Sequence, residues 1–562
     1  MKKALSLILV CLFLVSMMIP VSAAQFINAY ETIQAENYSE ASCASVLGLG
    51  STHYLEDCLD AGGGKNVFDW QRNTYFKYTN VDFGSDAAYG FSARVADFSD
   101  HADLKIILDS INGPVIGTLH IVSTGKQQDW ETQSCPITPT TGVHDVFLKF
   151  ENNPAKASLN YFTFLHTAPE ETVRPTYSYE PLPANWQGRD TRPDTWVATD
   201  MLGEAVADNR MAGNPRSNKY VGIFYHLFLT RKQGEVYDNS RLLEENYFDP
   251  AYGPVNTDHF WGKPVFDYYR NVDTYVIRRH AQLLYNAGVD VIIFDTSNAG
   301  FPFAPYWMAI VDTLYQMRKE GLNTPQFAFH TGDGTDGTNK LAAYLYKNLY
   351  STGKYRELWF MWDGKPLMLG NSTQLSSQYR NAFTFRRSWA WQSGENQFPW
   401  LDNTPQGYGW NESADKPEAT SVCLAQHATT NKGKSYSGGV EPANVSEETT
   451  LELINFREQW EHALDPEFIF VTAWNEWVAS NYYAAEGQDF LGRKLSANDY
   501  YFVDEYNPEF SRDIEPSDGF LGDEAYMKLA HYIRLFKGAR AVGAANGSHT
   551  ISINESFAQW DT

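Results

Sequence analysis

Cysteine, positive charge and long apolar runs are all in short supply in this 562-residue chain, and each shortage narrows what it can be. There are five cysteines and no CxxC spacing, which argues against a cysteine-built zinc site. Lys and Arg number 44 against 68 Asp and Glu, a net charge of −24. Such a surface repels phosphate backbones on average, so nucleic acid is not the expected partner. Beyond the first residues no stretch is long and apolar enough to cross a bilayer, and a membrane partner is not expected either. GxSxG, HExxH and P-loop motifs are missing, so esterase, zincin and NTPase readings lack support. A GxGxxG string does occur, Gly332-Asp333-Gly334-Thr335-Asp336-Gly337. Its two aspartates would repel a pyrophosphate, and it reads better as a loop ahead of a helix.

What is present begins with a leader. Lys2 and Lys3 precede the apolar run Ala4 to Val21 and the small residues Ser22-Ala23-Ala24. Residues 1–24 therefore read as a secretory signal that also contains Cys11, and the protein as extracellular. Secretion permits disulfides, and Cys43 with Cys58 is the expected pair. Aromatic residues make up 15% of the chain, with 16 Trp and 34 Tyr. That excess on an acidic, secreted protein suggests flat platforms for neutral sugars as well as core. A polysaccharide or complex glycan is the expected partner, and the protein is expected to be a monomer.

Residues 25–168 alternate in short runs broken by Gly, Asp and Asn: Tyr89, Phe91, Ala93 and Val95; Leu104, Ile106 and Leu108; Val146, Leu148 and Phe150. Period-two patterning in repeated pieces predicts an all-β sandwich of jelly-roll type. Residues 169–215 are rich in proline and polar residues, among them Pro175, Pro181, Pro183 and Pro193, and are expected to form a linker packed on the next domain. From 216 to 540 strand and helix signals alternate. Tyr220 to Leu229, Val289 to Asp295, Gln326 to His330, Leu358 to Leu369, Phe383 to Trp391, Ser421 to His427 and Phe468 to Thr472 read as strands. Helices are expected from Thr274, Phe303, Leu341, Glu447 and Asp523 onward. This order fits a (β/α)8 TIM-type barrel better than an open doubly wound sheet, because polar residues recur at so many strand ends. Residues 541–562 remain as a C-terminal tail.

A parallel barrel gathers its strand ends at one mouth, where chemistry is placed. Those ends carry His226, Asp295, His330, Asp363, Arg386, Arg387, Gln426, His427 and Glu476, with Trp389, Trp391, Trp410 and Trp474 nearby. Glycosidic cleavage needs two carboxyl groups, about 5–5.5 Å apart for retention and about 6.5–9.5 Å for inversion. Glu476, inside Trp474-Asn475-Glu476-Trp477, is the first candidate, and Asp295 at the end of an apolar strand is the second, with Glu505 and Asp363 in reserve. His226, His330, Trp389, Trp391, His427, Trp474, Asn475 and Trp477 are the expected substrate contacts. No cofactor is expected for catalysis.

Two family resemblances bear on this reading. Ile33-Gln34-Ala35-Glu36-Asn37-Tyr38, Asp129-Trp130-Glu131-Thr132, Gly142 to Leu148 and Ser158-Leu159-Asn160-Tyr161-Phe162 together resemble a carbohydrate-binding module of family 6. The resemblance implies sugar contacts at Trp130 and Asn160, a second ring near Phe68 to Trp70, and a structural calcium with a carboxylate at Glu36. Gln34 stands where that family often has a second acid. The larger region resembles the secreted glycoside hydrolases around families 71 and 99, through Val221-Gly222-Ile223-Phe224-Tyr225, Ala287 to Ile292, Trp362-Asp363-Gly364-Lys365-Pro366 and Ala473-Trp474-Asn475-Glu476-Trp477. The resemblance implies a glycoside hydrolase, and family 99 places a second glutamate three residues after the first. Here that position is Ala479, so either the partner acid comes from another strand, hence Asp295, or the site is inactive or differently built. The competing reading is a non-catalytic glycan-binding protein with a degenerate barrel.

Overall fold

The structure is a computed structural model. It describes residues 26–42, 55–68, 74–97, 102–124, 128–151, 157–229, 236–245, 252–255, 257–297, 303–425, 450–490, 493–502, 513–519, 521–543 and most of 550–559. The chain forms two compact units, Met1–Thr176 and Tyr177–Thr562.

In the first unit two mainly antiparallel sheets face each other. One orders Ile27–Asn28, Tyr75–Asp82, Val143–Glu151, Asp103–Leu108 and Val115–His120; the other orders Glu131–Thr140, Ala88–Asp97, Ala157–Leu165, Lys65–Phe68 and Leu55–Asp57. Alternation explains the core directly. Phe76, Tyr78, Leu104, Ile106, Val146, Leu148, Phe150, Phe91, Ala93, Val95, Phe162 and Phe164 all point inward. Phe162 meets Tyr78 and Phe164 edge-on with centroids 4.8 and 6.1 Å apart, the geometry aromatic pairs favour. Tyr89 breaks the expected pattern and is 43% exposed. Its strand is irregularly paired there, because the register with Glu131–Thr140 shifts between Pro136 and Thr140.

The second unit is built on a curled sheet. We label its parallel strands β1 (Tyr220–Tyr225), β2 (Val291–Asp295), β3 (Gln326–His330), β4 (Lys365–Leu369), β5 (Thr384–Arg386), β6 (Ala419–Cys423) and β7 (Phe468–Thr472). In space they run β5-β4-β3-β2-β1-β7-β6. At one edge β6 pairs with Gly409, whose strand pairs in turn with Gly394–Glu395. At the other edge Arg387, just past β5, bridges Gln397. Both edges therefore reach the 394–410 segment. Phe224, Ile293, Ala328, Leu367, Phe398, Phe468 and Phe470 fill the interior. Gly222 is required on β1, since a Cβ there would lie 2.6 Å from the Phe468 ring.

Helices cover this sheet. Thr274–Ala287 starts on Asp273, whose carboxylate accepts from the Tyr275 and Val276 amides, and stops at Gly288 with φ 98°. Its buried face is Val276, Ile277, His280, Ala281, Leu284 and Ala287, so a histidine stands in the apolar stripe. Ala304–Lys319, Thr335–Leu345, Ile454–His462 and Glu524–Lys537 follow. The expected strand Leu358 to Leu369 is split: Asp363 and Gly364 take positive φ and turn Met361–Trp362 back, antiparallel, onto β4. The segment from Asp190 to Ala207 lies on the last helix. Arg534 donates to the carbonyls of Pro193, Trp196 and Ala207, and Lys528 pairs with Asp200 at 2.7 Å.

Candidate functional site

At the carboxyl ends of β1, β2 and β7 the structure brings three of the expected residues together. His226 follows β1, Asp295 ends β2, and Glu476 lies four residues past β7. The His226 Nε2 is 3.4 Å from a Glu476 oxygen and 3.8 Å from an Asp295 oxygen. Both carboxylates thus flank one imidazole nitrogen, and their oxygens lie no more than about 7 Å apart, within the span that glycosidic chemistry uses. Glu476 and Asp295 are only 7% and 6% exposed. Asp295 is oriented by Ser297, whose amide and hydroxyl donate to its Oδ1 at 3.0 and 2.6 Å. The Glu476 amide donates to Asp513, a third buried carboxylate beside the site.

The residues around Glu476 do different work. Asn475 is fully buried: its Oδ1 accepts from the His226 amide at 2.9 Å, and its Nδ2 donates to the His226 carbonyl and the Tyr269 hydroxyl, both at 3.3 Å. Trp474 is equally buried, edge-on to His280 at 5.4 Å. The Trp477 indole N–H donates to Glu515 at 2.6 Å and its ring packs with Leu229, Tyr269 and Val276. None of these three offers a ring face or amide to a sugar. Asn475 and Trp477 are held inward by His226, Tyr269 and Glu515, whereas the Glu476 carboxylate meets His226 at the carboxyl ends of the strands.

Trp389 and Trp391 are 38% and 43% exposed, and Trp389 lies nearly parallel to His330 with centroids 6.4 Å apart. His330 is buried at the end of β3, and burial pushes its imidazole down to about 4, so it is neutral at pH 7. The loop carrying the GxGxxG string leads into Thr335–Leu345, and its Asp333 receives the Arg387 guanidinium at 2.5 and 2.8 Å. Asp363 is displaced from the mouth. It stands before β4, at the start of the strands, and takes Arg386 Nη2 at 2.7 Å. The same guanidinium makes two bonds to Glu418, which also accepts from the Trp362 indole at 2.7 Å. The ion pair draws Asp363 to the floor of the sheet. Glu505, His427 and Gln426 lie outside the described residues.

Sequence reasoning missed a buried network behind the site. Glu515 accepts from Tyr269 and Trp477 at 2.6 Å and contacts His280 Nε2 at 2.8 Å, while His280 Nδ1 meets the Tyr225 hydroxyl at 2.8 Å. The one available signal was a histidine on the apolar stripe of a helix, four residues from both Val276 and Leu284.

In the sandwich, Trp130 packs with Cys58 and Ala96, and its indole donates to Gln128 at 3.1 Å. Asn160 donates to Asp60 at 2.9 Å, and Asp60 takes a two-pronged contact from Arg94 at 2.8 Å to each oxygen. Arg94 and Asn160 hold the Asp60 carboxyl below its usual value against the opposing pull of burial. Trp70 and Cys43 lie outside the described residues, and Cys58 is a buried thiol. The Glu36 Oε2 is buried with no hydrogen-bond partner among the described residues, an orphaned hard oxygen that suits calcium. Backbone oxygens would have to complete such a site, because no three His, Cys, Asp or Glu side chains converge among the described residues. No helix of the described residues is long and apolar enough to cross a membrane.

Residues 34–166 match the family described as "Carbohydrate binding module (family 6)". The chain is 30% identical over 155 residues to "Endo-1,4-beta-xylanase A" of Thermoclostridium stercorarium, covering 27% of this chain and 28% of that protein. It is 30% identical over 128 residues to "Arabinoxylan arabinofuranohydrolase" of Bacillus subtilis (strain 168), covering 22% and 23%. It spans less than a third of the length of either relative. Among solved structures, a family 6 module from Clostridium cellulolyticum in complex with xylose shows 35% identity, covers 25% of this chain and 98% of that one, and has a TM-score of 0.22. The N-terminal unit of this chain is a carbohydrate-binding module of family 6.

Proposed function

We propose that this is a secreted glycoside hydrolase that cleaves a polysaccharide or complex glycan with a carboxylate pair, its family 6 module keeping it on the substrate. The observation that carries the reading is the shared imidazole: Asp295 and Glu476, from different strands, both flank His226 Nε2. One acid protonates the leaving oxygen while the other attacks or activates water. Glu476, next to the Asp513-bound amide, is assigned as the acid, and Asp295, held by Ser297, as its partner. A (β/α) barrel is the supporting frame, favoured by sheet edges that both reach the 394–410 segment. Trp389 and Trp391 supply exposed rings for sugar faces. In the module, Trp130, Asn160 and the region of Trp70 are proposed for sugar, and Glu36 for a structural calcium. Holding a polymer beside the cleft raises its local concentration by the effective-molarity argument.

A second reading has an observation of its own. Ala479, standing where family 99 has its second glutamate, is packed into a small apolar cluster with Trp261 and Phe502. A glycan-binding protein without chemistry would look the same there. The relatives' names direct the test toward xylan and arabinoxylan, and β-1,3-glucan, cellulose, fungal and host glycans complete the panel. The assay is release of new reducing ends by the mature protein. Glu476→Gln and Asp295→Asn should each lower turnover at least about a hundredfold with glycan pull-down intact. Absence of product from every glycan would decide for the binding protein.

A further inference from the structure

We propose that Glu515 is the positioning residue for the Asp295–His226–Glu476 array, acting through Tyr269 and Asn475 on one side and Trp477 on the other. The inference rests on the hydrolase reading of that array. Glu476 sits on an irregular stretch beyond the end of β7, its amide on Asp513 and its carboxylate beside His226. Its two neighbours, however, are both tied to one buried carboxylate. Trp477 donates directly to Glu515 Oε2, and Tyr269 donates to the same oxygen. Having spent its proton there, the Tyr269 hydroxyl is left as an acceptor for Asn475 Nδ2. Asn475 Oδ1 then fixes the His226 amide, and with it the imidazole between the two acids.

Donors converge on both oxygens of Glu515. Its two oxygens face three donors: the Tyr269 hydroxyl, the Trp477 indole and His280 Nε2–H. His280 Nδ1 then accepts from the Tyr225 hydroxyl. Burial pushes both tyrosines well above their usual value, so each hydroxyl keeps the proton that this arrangement requires of it. The backbone repeats the bracing: the amides of Ile514 and Glu515 donate to the carbonyls of Ala473 and Trp474. A neutral aliphatic side chain could fill the space of Glu515 but could not bind both flanks of Glu476 at once.

Tyr269→Phe is the cleanest test, because it removes the hydroxyl that links Glu515 to Asn475 and leaves the ring in place. Glu515→Gln is the second variant; it presents one acceptor oxygen to three donors. The first readout is the titration of His226 by NMR in histidine-labelled whole protein, with the signal identified by its loss in His226→Gln. The second is the split of kcat and KM on the panel of xylan, arabinoxylan, β-1,3-glucan and cellulose. We expect the His226 midpoint to move by at least about half a unit, and kcat to fall about tenfold or more with KM within about twofold, as misplacement of reacting groups predicts. A folded Tyr269→Phe protein with an unmoved His226 midpoint and unchanged kcat overturns the proposal, even where Glu515→Gln fails to fold. The NMR readout needs no turnover. A wild type that cleaves nothing, with a shifted midpoint in the variant, removes the hydrolase reading and leaves the brace standing. Cleavage by the wild type with an unmoved midpoint does the reverse.

Discussion

Replacing Asn475 by alanine separates a sugar contact from a structural clamp. Asn475 is fully buried and holds both backbone groups of His226. Of its three partners two have other bonds: the His226 carbonyl also accepts from Asn271 at 3.1 Å, and the Tyr269 hydroxyl donates to Glu515. The His226 amide loses its Asn475 acceptor, at a cost of about 1–3 kcal/mol for a buried donor. Removing a buried amide side chain adds a small cavity, bringing the total to roughly 3 kcal/mol. The larger unit spans 177–562. At about 2.1 cal/mol/K per residue its unfolding entropy is on the order of 0.8 kcal/mol/K, so the melting temperature should fall by about 4 °C. Calorimetry measures this directly, with the transition of the sandwich as an internal control. A side chain that only touches substrate would leave the melt unmoved and weaken glycan affinity instead. A transition within about 1 °C of wild type would refute the clamp.

Three other outcomes follow from buried groups. His330 titrates near 4 in the folded protein and near its ordinary 6.5 when unfolded, so the unfolded state holds more protons between those values and stability falls as pH drops through that window. Its share, about 3 kcal/mol lost between pH 7 and pH 4, should be seen as the difference between urea midpoints of wild type and His330→Gln. Arg386→Met strands Glu418 beneath the sheet and should destabilise by about 3–5 kcal/mol, while the double variant with Glu418→Leu should recover most of it. Calcium should raise the sandwich transition and EGTA lower it, and Glu36→Gln should abolish the difference; a transition indifferent to calcium would remove the metal.

How far the chain could be read depended on whether local pattern or distant partner decides a residue's place. The sandwich was legible because Leu104, Ile106 and Leu108 or Val146, Leu148 and Phe150 state their inward face by alternation alone. So were β1, β2, β3 and β7, whose apolar runs are continuous because both faces are covered. Asp295 and Glu476 could be nominated from strand ends, and the structure sets them on one imidazole. Their neighbours could not be sorted. Nothing local says that Trp477 turns inward, because the reason is Glu515, 38 residues away in a segment with no periodicity. Asp363 has the same history: its partner Arg386 comes from the next strand, and long-range ion pairing is invisible to a window of ten residues.

The shared imidazole also constrains the stereochemical course. Contacts of 3.4 and 3.8 Å to one nitrogen keep the two oxygens within about 7 Å of each other. That bound admits the about 5–5.5 Å of a retaining enzyme and only the lower end of the about 6.5–9.5 Å that an inverting one keeps open for its water. On the proposed pairing, retention with Asp295 as nucleophile is therefore the expected course. The sugar released at the earliest times should keep the anomeric configuration of the bond that was cut. Proton NMR of the first turnovers, before mutarotation, reads this directly, and an inverted product would mean that Asp295 activates a water as base or that another carboxylate faces Glu476.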